Sequence, residues 1–234
     1  MYLTYKNVGE TPLECLERIR LEYGKPKDIP MTYAGRLDPM AEGLLIILVG
    51  DDCKDKEKYL RMDKEYEVEI LFGVSTDSFD SLGMIENIEK KSFDPIDFNK
   101  YKRKFIQQYP RYSSKIISMM EKGDGLPEEI PTKEVEIYAI EQIGSKAVSG
   151  KKIYETVSNN ISKVNGDFRQ KEILEKWSEF SNNFSVEKFI ILKIKVSCSS
   201  GTYMRTLADR IGKDYGIPSL AFSIKRIRIN GYKL

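Results

Sequence analysis

Residues 64–72 read KEYEVEILF, and their alternation decides the fold class. Tyr66, Val68, Ile70 and Phe72 fall on one side of an extended chain, with Glu65, Glu67 and Glu69 on the other. That is a strand with one buried and one solvated face, the pattern of antiparallel rather than parallel sheets. Residues 133–141 alternate in the same way, and 189–198 place Ile190, Leu192, Ile194, Val196 and Cys198 inward. Upstream, residues 44–49 are continuously apolar and bounded by glycines, which reads as a short, fully buried strand. Residues 223–229 make a last strand, with Asn230-Gly231 as a turn just after it.

Helices separate these strands without a βαβ rhythm. Thr11-Pro12-Leu13-Glu14 is a capping box with proline at the first helical position; Leu13, Leu16 and Ile19 follow at helical spacing, and Gly24 is the stop. Asp94-Pro95 caps a predicted helix carrying Phe98, Tyr101 and Phe105 that ends before Pro110. Ser199-Ser200-Gly201 leads into a helix over 202–211. The fold class is therefore α+β, built on a central, largely antiparallel mixed sheet flanked by helices and loops. Residues 143–187 are polar and lysine-rich, with one short helical pattern near Trp177, and read as an insertion on a single domain spanning 1–234.

Composition limits the chemistry. The chain of 234 residues contains no histidine, which excludes Ser-His-Asp, Cys-His and HExxH catalysis and leaves acid–base and nucleophilic work to other side chains. Cys15, Cys53 and Cys198 form neither a disulfide framework nor a metal clip and suit a reducing cytoplasm. A net charge of +2 neither requires nor excludes nucleic acid. No run is long enough to cross a bilayer, no cationic n-region followed by an apolar stretch opens the chain, so no secretory leader is expected, and no glycine-rich phosphate loop is present. Neither a nucleotide cofactor nor a metal is suggested.

Asp38, between Leu37 and Pro39 and just before the buried strand, is a carboxylate at the edge of an apolar core, positioned for a catalytic task; on local evidence alone the ordinary Asp-Pro turn is the favoured reading. Tyr66 on pattern alone is a core tyrosine, and Arg205 a solvated helix residue. Residues 221–234 contain Lys225, Arg226, Arg228 and Lys233 with no acid, which fits either a phosphate-following strand or a lysine-protected edge.

The combination of segments goes further. TYAGRLDPMAEGLL (32–45) resembles the catalytic motif of TruB-type tRNA pseudouridine synthases, where G-x-L-D-P-x-A-x-G precedes an apolar strand. KNVGET (6–11), DKEY (63–66), GVSTDSFDSLG (73–83), YPRYSSK (109–115) and CSSGTYMRTLADRIG (198–212) are similar to that family's other segments and occur in its order. The resemblance implies the pseudouridine synthase fold and isomerisation of the T-loop uridine at tRNA position 55, with no cofactor, by a cytoplasmic monomer that binds the T arm. It makes Asp38 the catalytic aspartate, Tyr66 the tyrosine stacked on the target base, Arg205 the partner of the aspartate, and Ile224 the aliphatic pocket wall. Tyr33-Ala34 stand where the family has His-Thr, so Tyr33 is the residue expected to take over contact with the RNA. Lys225, Arg226 and Arg228 are expected to add RNA contacts, and the chain is expected to lack the small C-terminal PUA domain of many relatives. Two rivals remain: a pseudouridine synthase for ribosomal or other stem-loop RNA, and a catalytically idle RNA-binding or RNA-folding protein.

Overall fold

The computed structural model describes residues 1–113, 116 and 130–234; Ser114 and Lys115 of the YPRYSSK segment lie outside them. Numbered in chain order, the strands of the main sheet lie side by side as β1 (Tyr2–Lys6), β3 (Ala41–Val49), β10 (Ser219–Ile229), β4 (Lys64–Phe72), β9 (Lys188–Cys198), β8 (Thr132–Ser149) and β7 (Lys104–Gln108). Strand β2 (Met31–Ala34) adds to β3 and β11 (Tyr232–Lys233) to β10, while β5 (Val74–Thr76) and β6 (Ile85–Ile88) form a separate hairpin. Among the described residues β3 against β10 is the one parallel ladder in the main sheet. The architecture is α+β, as the alternating strands indicate.

Strand β4 shows how the sequence makes the layers. Tyr66, Val68, Ile70 and Phe72 are buried against Leu192, Ile194 and Val196 of β9 and against Met204, Leu207, Ala208 and Ile211 of a helix, α5 (Met204–Asp214). Glu65, Glu67 and Glu69 face the other way and pair with Lys195 and Arg228, Lys193, and Lys146 respectively. Where that second face becomes apolar, at Leu71, Phe189, Ile191 and Leu220, two helices cover it: α3 (Gly150–Ile161) and α4 (Gln170–Phe184). From Leu44 to Val49 strand β3 is apolar without a break because both of its faces are covered. Leu45 and Ile47 meet Cys15, Leu16 and Ile19 of α1 (Pro12–Glu22), whereas Leu44, Ile46 and Leu48 meet Ala34 and Ile229, with the short helix α2 (Lys56–Leu60) beside β2. The predicted capping box of α1 forms, with Thr11 Oγ1 accepting from Glu14 N and Glu14 Oε2 from Thr11 N.

Three expectations differ from the structure. Phe98 and Tyr101 enter the core, but one 3₁₀ turn over Phe98–Tyr101 suffices for that spacing, and Lys104–Gln108 goes on as an edge strand instead of a helix. Residues 143–187 hold the end of β8 together with α3 and α4. Ile153, Val157 and Ile161 of α3 and Ile173, Trp177 and Phe180 of α4 do repeat at helical spacing, behind polar outer faces. Ile190 shares the face of Leu192 but is 39% exposed, while Phe189 and Ile191 point beneath α3 and α4.

Gly43 marks the tightest approach between β3 and β10. Its φ is +109°, and a Cβ there would stand 2.3 Å from the carbonyl oxygen of Arg226. Gly43→Ala is expected to cost roughly 2–5 kcal/mol, combining backbone strain with overpacking. Thermal melting checks this: a drop of roughly 5–15 °C is expected, and an unchanged Tm would contradict it.

Candidate active site

Asp38 sits in the turn between β2 and β3, where Ala41 N donates to the Asp38 carbonyl at 2.9 Å. The turn is held from outside as well. Lys6, fully buried, donates from Nζ to the Ala41 carbonyl at 2.6 Å, and Gly9 N donates to the Pro39 carbonyl at 2.9 Å. The KNVGET segment thus acts by gripping the backbone on the far side of Asp38. From the near side, the Arg226 side chain donates to the carbonyls of Gly35, Arg36 and Leu44.

Behind Asp38 lies Arg205, at the start of α5 and with a side chain only 3% exposed. Its Nε is 2.9 Å from Asp38 Oδ2 and 3.6 Å from Asp80 Oδ2, and its Nη1 donates to the Ser78 carbonyl at 2.9 Å. Neither Nε nor Nη2 has an in-line acceptor among the described residues, so the contact with Asp38 is an ion pair rather than a directed hydrogen bond. A buried guanidinium is costly unless compensated, and two carboxylates compensate this one. Asp80 is held by its own loop: Oδ1 accepts from Ser78 Oγ at 2.7 Å and from Leu82 N at 2.9 Å. Burial pushes the Asp80 carboxyl above the ordinary aspartate value, against the opposing pull of Arg205. The tight turn of this GVSTDSFDSLG segment, with Phe79 at φ 63° and Ala221 N donating to its carbonyl, aims Ser78 and Asp80 at α5.

Asp38, whose side chain is 22% exposed, opens into a cleft of about 700 Å³. Tyr66, Ile224, Tyr109 and Tyr203 give it aromatic and aliphatic walls, and Arg36, Lys64, Lys133 and Arg226 give it cations. Tyr66 is 7% exposed, and burial raises its hydroxyl above the usual tyrosine range. Tyr109 and Tyr203 meet edge to face at 5.4 Å. Burial, and after it the charge on Asp38, pushes the Tyr203 hydroxyl up to about 12. Lys64 is buried with Nζ donating to the Leu60 and Met62 carbonyls, and its pKa is lowered to about 8 by burial and by Arg226. A lysine lowered in the folded state costs stability while charged, and that cost is relieved as pH rises from about 8 toward the unfolded value of 10.5. Urea unfolding of wild type and Lys64→Met at about pH 7.5 and about pH 10 should therefore show the difference moving in favour of wild type at the higher pH. A pH-independent difference would contradict this.

The structure brings Asp38, Arg205, Tyr66 and Ile224 together. It does not bring Tyr33 to them: that ring packs toward α1 and Leu45, with Lys56 Nζ 5.7 Å from its centroid. Lys225 and Arg228 lie on the opposite face of the sheet, Lys225 over Tyr5 at 5.6 Å and Arg228 3.7 Å from Glu65. Arg226 is 1% exposed: strand alternation turns it inward, where its side chain donates to carbonyls at the edge of the cleft and not to the outer surface that the basic run suggested. Asp80 is the functional residue that sequence reasoning missed. Its segment was singled out, yet nothing local shows that its carboxylate meets a helix more than a hundred residues later. Chemically, the site is a partly exposed carboxylate fixed by a buried guanidinium at the floor of an aromatic, cationic cleft. Such a carboxylate can act as a nucleophile or stabilise a developing cation, and the walls suit a stacked planar base.

Residues 27–147 match the family described as TruB family pseudouridylate synthase, N-terminal domain. Over 230 residues the chain is 30% identical to a tRNA pseudouridine synthase B of Staphylococcus aureus strain MSSA476, and to that of strain Newman; the match covers 98% of this chain. The chain spans 66% of the length of those curated relatives. Among solved structures, a Cbf5-Nop10-Gar1 complex is similar with a TM-score of 0.57 at 16% identity, covering 98% of this chain and 48% of the other. An H/ACA RNP bound to a substrate RNA containing 2'-deoxyuridine gives a TM-score of 0.51 at 17% identity, covering 98% and 47%. At those identities the likeness is one of fold.

Proposed function

The chain belongs to the TruB family of pseudouridylate synthases, and from that membership we propose that it isomerises uridine to pseudouridine in the T loop of tRNA. The observation that carries the reading is the Asp38–Arg205 ion pair at 2.9 Å, beneath a cleft walled by Tyr66 and Ile224. The carboxylate of Asp38 drives cleavage of the N-glycosidic bond, by adding to the sugar or by supporting a glycal. The freed uracil turns, its C5 bonds to the sugar, and the C5 proton leaves as the ring nitrogen gains one. Substrate and product are isomers, so the reaction draws no electrons or groups from outside. Tyr66 stacks on the base, Ile224 closes the other wall, and Arg205 orients Asp38.

A uridine inside a folded loop reaches this cleft only when flipped out of its stack. Arg36 and Lys133, beside the cleft, are placed to meet the phosphates that flank it. We take the protein to act as a monomer on the T arm. A cytoplasmic location suits a tRNA substrate and the three free thiols of Cys15, Cys53 and Cys198. The test is chemical mapping of pseudouridine after incubation with a tRNA transcript and with ribosomal RNA fragments. Modification confined to the T loop is expected. Modification of ribosomal RNA alone would move the reading to a sibling activity, and tight binding without modification would favour an idle RNA-binding protein.

A further inference from the structure

Arg226 lies in a strand whose basic run suggests a surface, yet it is 1% exposed. Its Nε donates to the Leu44 carbonyl at 2.8 Å, Nη1 to the Arg36 carbonyl at 3.2 Å and Nη2 to the Gly35 carbonyl at 3.2 Å. These three carbonyls bracket Asp38, two before it in the chain and one after. The backbone explains the need. The parallel ladder of β3 with β10 ends with Gly43 opposite Arg226, and β10 shifts register against β4 between Arg226 and Arg228. The Leu44 carbonyl lies just beyond that ladder, and the Arg226 side chain supplies its donor.

Burying a guanidinium is an expensive way to satisfy carbonyls, so its geometry is the informative part. The planar fork holds two consecutive carbonyls and a third from the strand beyond, fixing the peptide planes that lead into Asp38. A lysine ammonium, compact and on a flexible stem, has no such fork. Lys6 and Gly9 hold the loop from the other side, at the Ala41 and Pro39 carbonyls.

We propose that Arg226 is a positioning residue for Asp38: by gripping the carbonyls of Gly35, Arg36 and Leu44 it sets the loop so that the carboxylate lies against Arg205 and faces the cleft. The inference rests on the reaction proposed above. In Arg226→Lys and Arg226→Gln, the single-turnover rate on tRNA is expected to fall about 10²-fold, the scale of an ångström misplacement, with tRNA affinity kept within about threefold. A crystal structure of Arg226→Lys should show Asp38 Oδ2 displaced from its 2.9 Å contact with Arg205. An unchanged rate overturns the proposal. So does rate falling in step with affinity, or failure of both variants to fold, since either marks a general structural role. If the wild type modifies no RNA, it is the proposed reaction that fails, and the crystal structure alone decides: an unmoved Asp38 overturns the positioning role and a displaced one supports it.

Discussion

Asp38→Asn is expected to lower the single-turnover rate on tRNA by about four orders of magnitude or more, the scale seen when a catalytic carboxylate is removed, and to leave tRNA affinity within about threefold. Asparagine keeps the volume and the turn, because the hydrogen bond that closes the turn is donated by Ala41 N to the Asp38 backbone carbonyl and does not involve its side chain. What it loses is the negative charge, and with it the nucleophile or anionic stabiliser. Arg205 keeps Asp80 as a partner at 3.6 Å, so the buried guanidinium is not stranded and the stability cost should stay at roughly 1–3 kcal/mol. Rate measured with enzyme in excess, beside a binding isotherm, separates the two effects. Rate and affinity lost together would mark Asp38 as structural.

Arg205→Met should have the larger effect on stability. Among the described residues it removes the one cation that lies within ion-pair distance of both Asp38 and Asp80. Breaking a buried ion pair from one side costs roughly 3–5 kcal/mol, which for a chain of this length lowers Tm by roughly 6–20 °C. The deficit should depend on pH. Burial already raises the Asp80 carboxyl, and loss of Arg205 raises it further. A carboxyl raised in the folded state favours folding below its unfolded pKa, and that advantage is lost as pH rises through the folded value. The deficit of Arg205→Met should therefore narrow as pH falls toward the unfolded aspartate value of 3.8 and widen as pH rises. Adding Asp80→Asn should recover part of it. A deficit indifferent to pH and to Asp80→Asn would contradict the network.

What the sequence disclosed follows from how local each signal is. The alternation of Tyr66, Val68, Ile70 and Phe72 is set by one strand's two faces, and the structure buries all four. The capping box of α1 and the Asn230 turn, with Asn230 at φ 47°, are equally local. Helix α3, and α4 beyond the short pattern near Trp177, escaped because half of each is polar and solvated, which dilutes a repeat that Ile153, Val157 and Ile161 keep without error. Tyr101 shows another limit: its burial was legible, but one 3₁₀ turn and one α-helical turn place it alike.

In the site, Asp38, Tyr66, Arg205 and Ile224 were legible through ordered segments that resemble a family, while composition and spacing alone left each ambiguous. The burial of Arg226 was not legible because a basic run looks like a surface until the alternation and register shift of β10 are known. Tyr33 belongs to a strand so short that its facing cannot be read from the sequence, and it turns toward α1 and away from the cleft.

Tritium release from tRNA labelled at uridine C5 decides whether Asp38 drives isomerisation of a T-loop uridine. About one equivalent should be released by the wild type, none by Asp38→Asn, and none when the T-loop uridine is replaced by cytidine. Release that persists in Asp38→Asn, or that ignores replacement of the T-loop uridine, would contradict that role.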